Sequence, residues 1–133
     1  MIEYKETKDF NNKQIQELFL SVHWQSGKYP EKIVKGLKNS SIVISAWDDD
    51  YLVGLVRGLD DGVTVGFIHY LLVNPKYQNL HIGCGLMERL MEKYKDLLYI
   101  KVMPSDPHTI PFYEKFGFQK EEHYSCMQIQ RLW

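Results

Sequence analysis

Phe67–Tyr94 reads FIHYLLVNPKYQNLHIGCGLMERLMEKY. An apolar run gives way to a polar loop that closes on Gly83-Cys84-Gly85. A helical pattern follows in which Ile82, Leu86, Leu90 and Tyr94 recur every four residues, with Met87 and Met91 beside them. That is a strand, a loop and an amphipathic helix whose apolar face must lie on a sheet. Such a loop points free backbone N–H groups, and the positive end of a helix, at whatever sits above it, which suits a phosphate or pyrophosphate. The glycine pair also suggests a dinucleotide fingerprint, but Glu88 stands where that pattern needs its third glycine and would repel a pyrophosphate. The loop from Asn74 is too long for the tight first turn of such a unit, and the strands before it read as a meander. The dinucleotide reading is rejected.

Working outward, Ile42–Trp47, Tyr51–Leu59 and Val63–Val73 are strand-like and separated by Asp48-Asp49-Asp50 and Asp60-Asp61-Gly62. Two tight turns between three strands predict an antiparallel meander, with the acidic clusters serving as hairpin turns. Upstream, Ile2–Lys5 is a short candidate strand. Asn11 or Asn12 caps a helix carrying Ile15, Leu18, Phe19 and Val22 on one face, residues 23–29 are a loop, and Pro30 opens a second helix that Asn39 stops. Downstream, Leu97–Val102 is a strand reached by a helical crossover, and therefore parallel to the strand ending at Val73. Thr109 caps a short helix ending at Gly117, Phe118 begins a last hairpin, and Cys126–Trp133 alternates as a strand. The expected architecture is α/β (α+β), a mixed sheet of about six or seven strands flanked by about four helices, in one domain over residues 1–133.

Composition narrows the function classes. Hydrophobic residues at 44% and charged residues at 25% are the balance of an ordinary globular domain. A net charge of -1 gives no basic excess to displace counterions, so a nucleic-acid partner is not expected. No apolar run approaches membrane-spanning length, and MIEYKETKDF lacks a signal peptide's apolar region, so a cytoplasmic protein without a membrane partner is expected. Cys84 and Cys126 form no CxxC, and the five histidines show no HxxxH or HExxH spacing, so neither a disulfide framework nor a metal site is expected.

Two blocks carry a resemblance. Tyr77-Gln78-Asn79-Leu80-His81-Ile82-Gly83-Cys84-Gly85-Leu86 resembles the Q/R-x-x-G-x-G/A acetyl-CoA motif of the GNAT superfamily of N-acetyltransferases. Pro111-Phe112-Tyr113-Glu114-Lys115-Phe116-Gly117-Phe118 resembles its second signature, F-Y-x-x-x-G-F. Their order and separation fit, and the layout accounts for essentially the whole chain. The second block, with Asp106–Ile110 before it, is similar to the arylalkylamine (serotonin-type) branch.

The resemblance implies a GNAT acyl-CoA N-acyltransferase fold, acetyl-CoA as cosubstrate with no metal, and transfer of acetyl to a primary amine by direct attack. It implies that the backbone of Leu71, Leu72 and Val73 pairs with the pantetheine arm as an added strand would. Gln78 and the N–H groups of Asn79, Leu80, His81, Ile82, Gly83, Cys84 and Gly85 would cradle the pyrophosphate, and Asp106 and Phe112 would join the coenzyme site. His81 stands where the motif usually has glycine, and Asp106 where many members carry asparagine. A histidine is only moderately tolerated if φ must be positive.

Tyr113 would protonate the departing thiolate: a phenol near 10 can donate to a thiolate whose conjugate acid lies near ~8.5. A tyrosine packing beside Phe112 and Phe116 is the plainer alternative. His69, taken to share side-chain parity with Leu71 and Val73, is the candidate base for the amine proton, alone or through water, with Phe67 where the arylalkylamine branch carries a first histidine. Trp24, Tyr29 and Phe67 would line the acceptor site, and the acceptor expected is a small-molecule amine. Met127–Trp133 could pair between two subunits of a homodimer. The alternative function is an acetyl-CoA-binding sensor or regulatory module with weak or lost turnover, for which His81 and Phe67 argue.

Overall fold

The computed structural model describes residues 1–132. The chain forms two compact units, Met1–Lys101 and Val102 onward. In chain order the elements are β1 Ile2–Lys5, α1 Asn12–Ser21, α2 Pro30–Lys38, β2 Ile42–Asp48, β3 Tyr51–Asp60, β4 Val65–Val73, α3 Ile82–Lys93, β5 Tyr99–Val102 and α4 Ile110–Glu114. The strands form one sheet in the order β1-β2-β3-β4-β5, and β1 to β4 pair antiparallel. The class is α/β, as expected, but with five strands rather than six or seven.

Local chemistry sets the first unit's ends and turns. Asn11 Oδ1 accepts from Gln14 N at 2.8 Å while Gln14 Oε1 accepts from Asn11 N at 3.1 Å, a capping box that starts α1. Pro30 occupies the first turn of α2, where its missing N–H is not needed. Asp61 Oδ1 accepts from the N–H groups of Val63, Thr64 and Val65. Its carboxylate thus closes the β3–β4 turn that the sequence placed there.

Strand alternation then divides the core. Val43, Trp47 and Leu55 pack in one buried cluster with Ile15, Leu18 and Phe19 of α1 and Ile33 and Leu37 of α2. Burying each of Ile15, Phe19 and Leu37 stabilises the fold by about 1.5–3 kcal/mol. The opposite face belongs to α3: a Cβ on Gly54 would meet Leu86 at 3.5 Å, and one on Gly58 would lie 2.0 Å from the Tyr94 hydroxyl. Gly58 is the close approach that seats Tyr94, whose hydroxyl donates to Asp60 Oδ2 at 2.8 Å.

In the second unit a 3₁₀ turn, Pro107–Thr109, leads into α4, and Gly117 at φ 93 reverses the chain after it. The last hairpin expected from Phe118 is absent among the described residues: no strand follows Val102, and residues 119–132 are exposed. Trp133, the end of that expected strand, lies outside the described residues. The alternation of Met127 and Ile129 has the period of a strand, but a strand exists only with a ladder partner, which periodicity cannot supply.

Candidate active site

The loop from β4 to α3 is built to face an anion. A 3₁₀ turn, Pro75–Tyr77, is capped by Asn74 Oδ1, which accepts from Lys76 N at 3.0 Å. Asn79 and His81 follow at φ 68 and φ 56, so His81 adopts the left-handed conformation anticipated for the motif's glycine position. Glycine reaches this region without strain, asparagine nearly so, and histidine less readily. His81 is the N-cap of α3 and gives no side-chain bond to it, and no acidic residue lies in the first turn. The first intrahelical bond is Gly85 N to His81 O at 3.0 Å. The N–H groups of Ile82, Gly83 and Cys84 precede it and remain free at the positive end of the helix. These residues fit a pyrophosphate.

Gly85 has a second duty: a Cβ there would fall 2.1 Å from the Tyr4 hydroxyl, so this glycine lets β1 approach α3. Gln78, expected to join the cradle, gives its amide N–H to Val73 O at 3.3 Å.

β4 carries the other half. Arg57 pairs with His69 and Leu55 with Leu72, so Val56 alone faces Tyr70 and Leu71. This is a β-bulge, and Tyr70 sits at φ 59. The bulge inverts parity. His69 stacks on Tyr70 at 3.9 Å, and Tyr70 and Leu72 pack against the α1–α2 cluster, whereas Val73 lies beside Gly54 on the α3 side. The expectation that His69 shares a face with Leu71 and Val73 is therefore corrected, because one extra residue turns every later side chain over. Asn74 N donates to Val53 O at 2.8 Å, so Leu72 and Asn74 turn their backbone groups to β3. By alternation, Leu71 and Val73 turn theirs away from it, as an added strand requires.

Arg57, which sequence reading did not select, governs His69. Its Nε and Nη2 donate to His69 Nδ1 at 3.1 and 2.8 Å, its Nη1 reaches Gly36 O and Ser40 Oγ at 3.4 Å, and its guanidinium lies 4.5 Å from the Tyr70 ring. A guanidinium can only donate, so Nδ1 accepts and the neutral ring carries its proton on Nε2. Burial, then the Arg57 charge, pulls the His69 pKa down to about 4. Phe67 stacks on His69 at 5.7 Å, and Trp24 lies 6.2 Å from Tyr70, so two of the three expected acceptor-site aromatics join this group. Tyr29 does not: it precedes α2, with Lys32 Nζ 6.0 Å from its ring. A signal for Arg57 was present, a lone cation inside the apolar run LVGLVRGL. The bulge had none.

The histidine's shift has a consequence for stability. As pH falls from 6.5 towards 4, the unfolded chain takes up a proton that folded His69 refuses. Stability is full above that window and is lost through it. His69→Gln is expected to flatten this decline in urea melts stepped across the window; an equally steep decline would place the titration elsewhere.

In the second unit Tyr113 is buried on α4, 5.3 Å from Phe112 and 6.0 Å from Phe118 in edge-to-face contacts, and burial pushes its phenol above the ordinary value. Asp106 Oδ1 accepts from His108 N at 2.9 Å and lies 3.0 Å from His108 Nδ1, which holds its carboxyl below the usual range.

A cavity of about 400 Å³ lies elsewhere, between β1 and α3. Several of its charges are engaged: Lys93 pairs with Glu6 at 3.5 Å, and Arg89 donates to Gly85 O at 3.0 Å over the Tyr4 ring. Among the described residues no helix is long and apolar enough to cross a membrane.

Known proteins resemble this chain in sequence and in fold. The family model described as Acetyltransferase (GNAT) family matches residues 9–118. The uncharacterized N-acetyltransferase ycf52 of Porphyra purpurea is 32% identical over 121 residues, covering 86% of this chain and 68% of that protein. Its counterpart in Pyropia yezoensis is 30% identical over 131 residues, covering 90% and 74%. Among solved structures, the probable acetyltransferase SA2161 of meticillin-resistant Staphylococcus aureus superposes with a TM-score of 0.89 at 27% identity, over 98% of this chain and 100% of that one.

Proposed function

This chain belongs to the GNAT acetyltransferase family and is an acetyl-CoA-dependent acetyltransferase, and from that premise we propose that it delivers acetyl to a primary amine by direct attack in a ternary complex. The observation that carries the proposal is the bare start of α3. Three backbone N–H groups, Ile82 to Cys84, lie behind two residues at positive φ, next to the C-terminal end of β4, where Leu71 and Val73 turn their backbones away from β3. The N–H groups would take the pyrophosphate and the edge would take the pantetheine arm.

In the reaction the amine nitrogen bonds to the thioester carbonyl carbon, the carbon–sulfur bond breaks, the thiolate takes up a proton and the nitrogen loses one. An N–H freed by the bulge, at Leu71 or its neighbour, would stabilise the oxyanion. Tyr113 would supply the thiolate's proton; burial keeps the phenol protonated in the neutral range. His69 would work as a neutral Nε2–H donor, because its Nδ1 is committed to Arg57. That leaves the amine's proton to water. Trp24, Phe67 and Tyr70 would wall the acceptor.

Thermal melts with acetyl-CoA, followed by thiol release with a panel of amines, test the proposal. Stabilisation by the coenzyme and amine-dependent thiol are expected. Stabilisation without thiol release would favour the sensor reading, which the strained His81 keeps in view.

A further inference from the structure

Arg57 is more than a partner for His69. It is half-buried in the middle of β3, and among the described residues no carboxylate lies within ion-pair distance of it. Its recorded acceptors, His69 Nδ1, Gly36 O and Ser40 Oγ, are all neutral in the neutral pH range. Of its five N–H groups, Nε gives one bond, Nη1 two and Nη2 one, so an Nη2 proton is left over. A half-buried cation without an anion is costly, and burial already weakens its hold on its proton. Its hydrogen bonds and the Tyr70 face offset part of that cost, but none of them supplies a negative charge. The neighbouring rings are apolar except at their polar tips: Tyr70 faces the guanidinium, and Phe67 and His69 continue the stack.

Resting on the acetyl-transfer reading above, we propose that Arg57 selects an acceptor amine bearing an anionic group, carboxylate or phosphate, on an apolar body. The ligand's anion would complete the ion pair that the protein leaves open, taking the spare Nη2–H as a charge-assisted hydrogen bond. The aromatic wall of Phe67, Tyr70 and Trp24 would take the apolar body. Arg57 would then hold His69 in its Nε2–H form and read the acceptor's charge with one guanidinium, so specificity and site geometry would be linked. Lysine could supply the charge but not the fork.

The test uses amines whose basicity the anion hardly changes: benzylamine, para-(aminomethyl)benzoate and para-(aminomethyl)phenyl phosphate, with hexylamine and its omega-carboxylate as a flexible pair. The readout is kcat/KM for thiol release. The wild-type protein is expected to favour an anionic member over its neutral partner by about tenfold or more, the worth of one charge-assisted hydrogen bond. The carboxylate and phosphate arms decide which anion it is. In Arg57→Gln the ratio should collapse towards unity, and in Arg57→Lys it should survive in part. Because each ratio is taken within one preparation, a shared loss of activity cancels. If Arg57→Gln does not fold, the wild-type ratios and Arg57→Lys decide alone. Equal use of neutral and anionic amines by the wild type overturns this inference and leaves acetyl transfer standing. No thiol release with any amine overturns the acetyl-transfer reading, and this inference with it.

Discussion

Tyr113→Phe is expected to lower kcat by roughly 10²-fold or more, with the apparent affinity for acetyl-CoA little changed. The phenylalanine keeps the ring that meets Phe112 at 5.3 Å and Phe118 at 6.0 Å edge-to-face, so the packing of α4 survives and only the hydroxyl is lost. What disappears is a proton donor for the departing thiolate, an interaction made as the carbon–sulfur bond breaks and absent from the bound ground state. Its removal therefore falls on kcat rather than on binding. Burial raises the phenol's pKa, so the donor stays loaded across the neutral and mildly alkaline range. The parent's rate should hence show no loss of the acid limb below pH ~10. Steady-state kinetics across pH, with acetyl-CoA affinity measured separately, check both points. Near-normal turnover in the variant would remove Tyr113 from the chemistry and leave it a packing residue of the second unit.

What the sequence disclosed follows a physical division. Features decided within a few residues were legible: the Asn11–Gln14 cap, Pro30 at the start of α2, the Asp61 turn and the break from β4 into α3. Each depends on bonds a side chain makes to nearby backbone, and residue type reports that. The loop leading into α3 was legible for another reason, since its motif fixes residues and spacing together. Features decided by a partner far along the chain were not. The bulge arises because Val56 alone faces Tyr70 and Leu71, a matter of register between two strands, and it turned Leu71 and Val73 off the face of His69. The His69 pKa is lowered first by burial and then by Arg57, twelve residues away, whose guanidinium also occupies Nδ1. The strand expected after Phe118 had the right period but no partner on the chain's described part. The left-handed conformation at His81 was foreseeable because the motif's glycine names the backbone requirement, whatever residue meets it.

The second large effect separates stability from function in one variant. Gly83→Asp places a carboxylate in the first turn of α3, which has no acidic residue and no side-chain cap. For the free protein this is favourable. A negative charge there meets the helix's positive end, worth about 0.3–1 kcal/mol, and replacing a helical glycine by aspartate adds about a few tenths more. The variant should therefore unfold at a slightly higher urea concentration than its parent. For a bound diphosphate the same carboxylate is a competitor and a like charge. It would take up the N–H groups between His81 and Gly85 that the ligand needs. A unit charge at about 4 Å with an effective dielectric near 20 repels by about 4 kcal/mol, so a loss of about 10²-fold or more in acetyl-CoA affinity is expected even after solvent screening. Acetyl-CoA titrations and urea melts on the same preparation read the two effects. A drop in affinity with stability held or raised ties the coenzyme to the start of α3. Unchanged affinity in a folded Gly83→Asp protein would mean that the diphosphate binds elsewhere, and the roles given to the β4 edge would then have to be rebuilt from a different anchor.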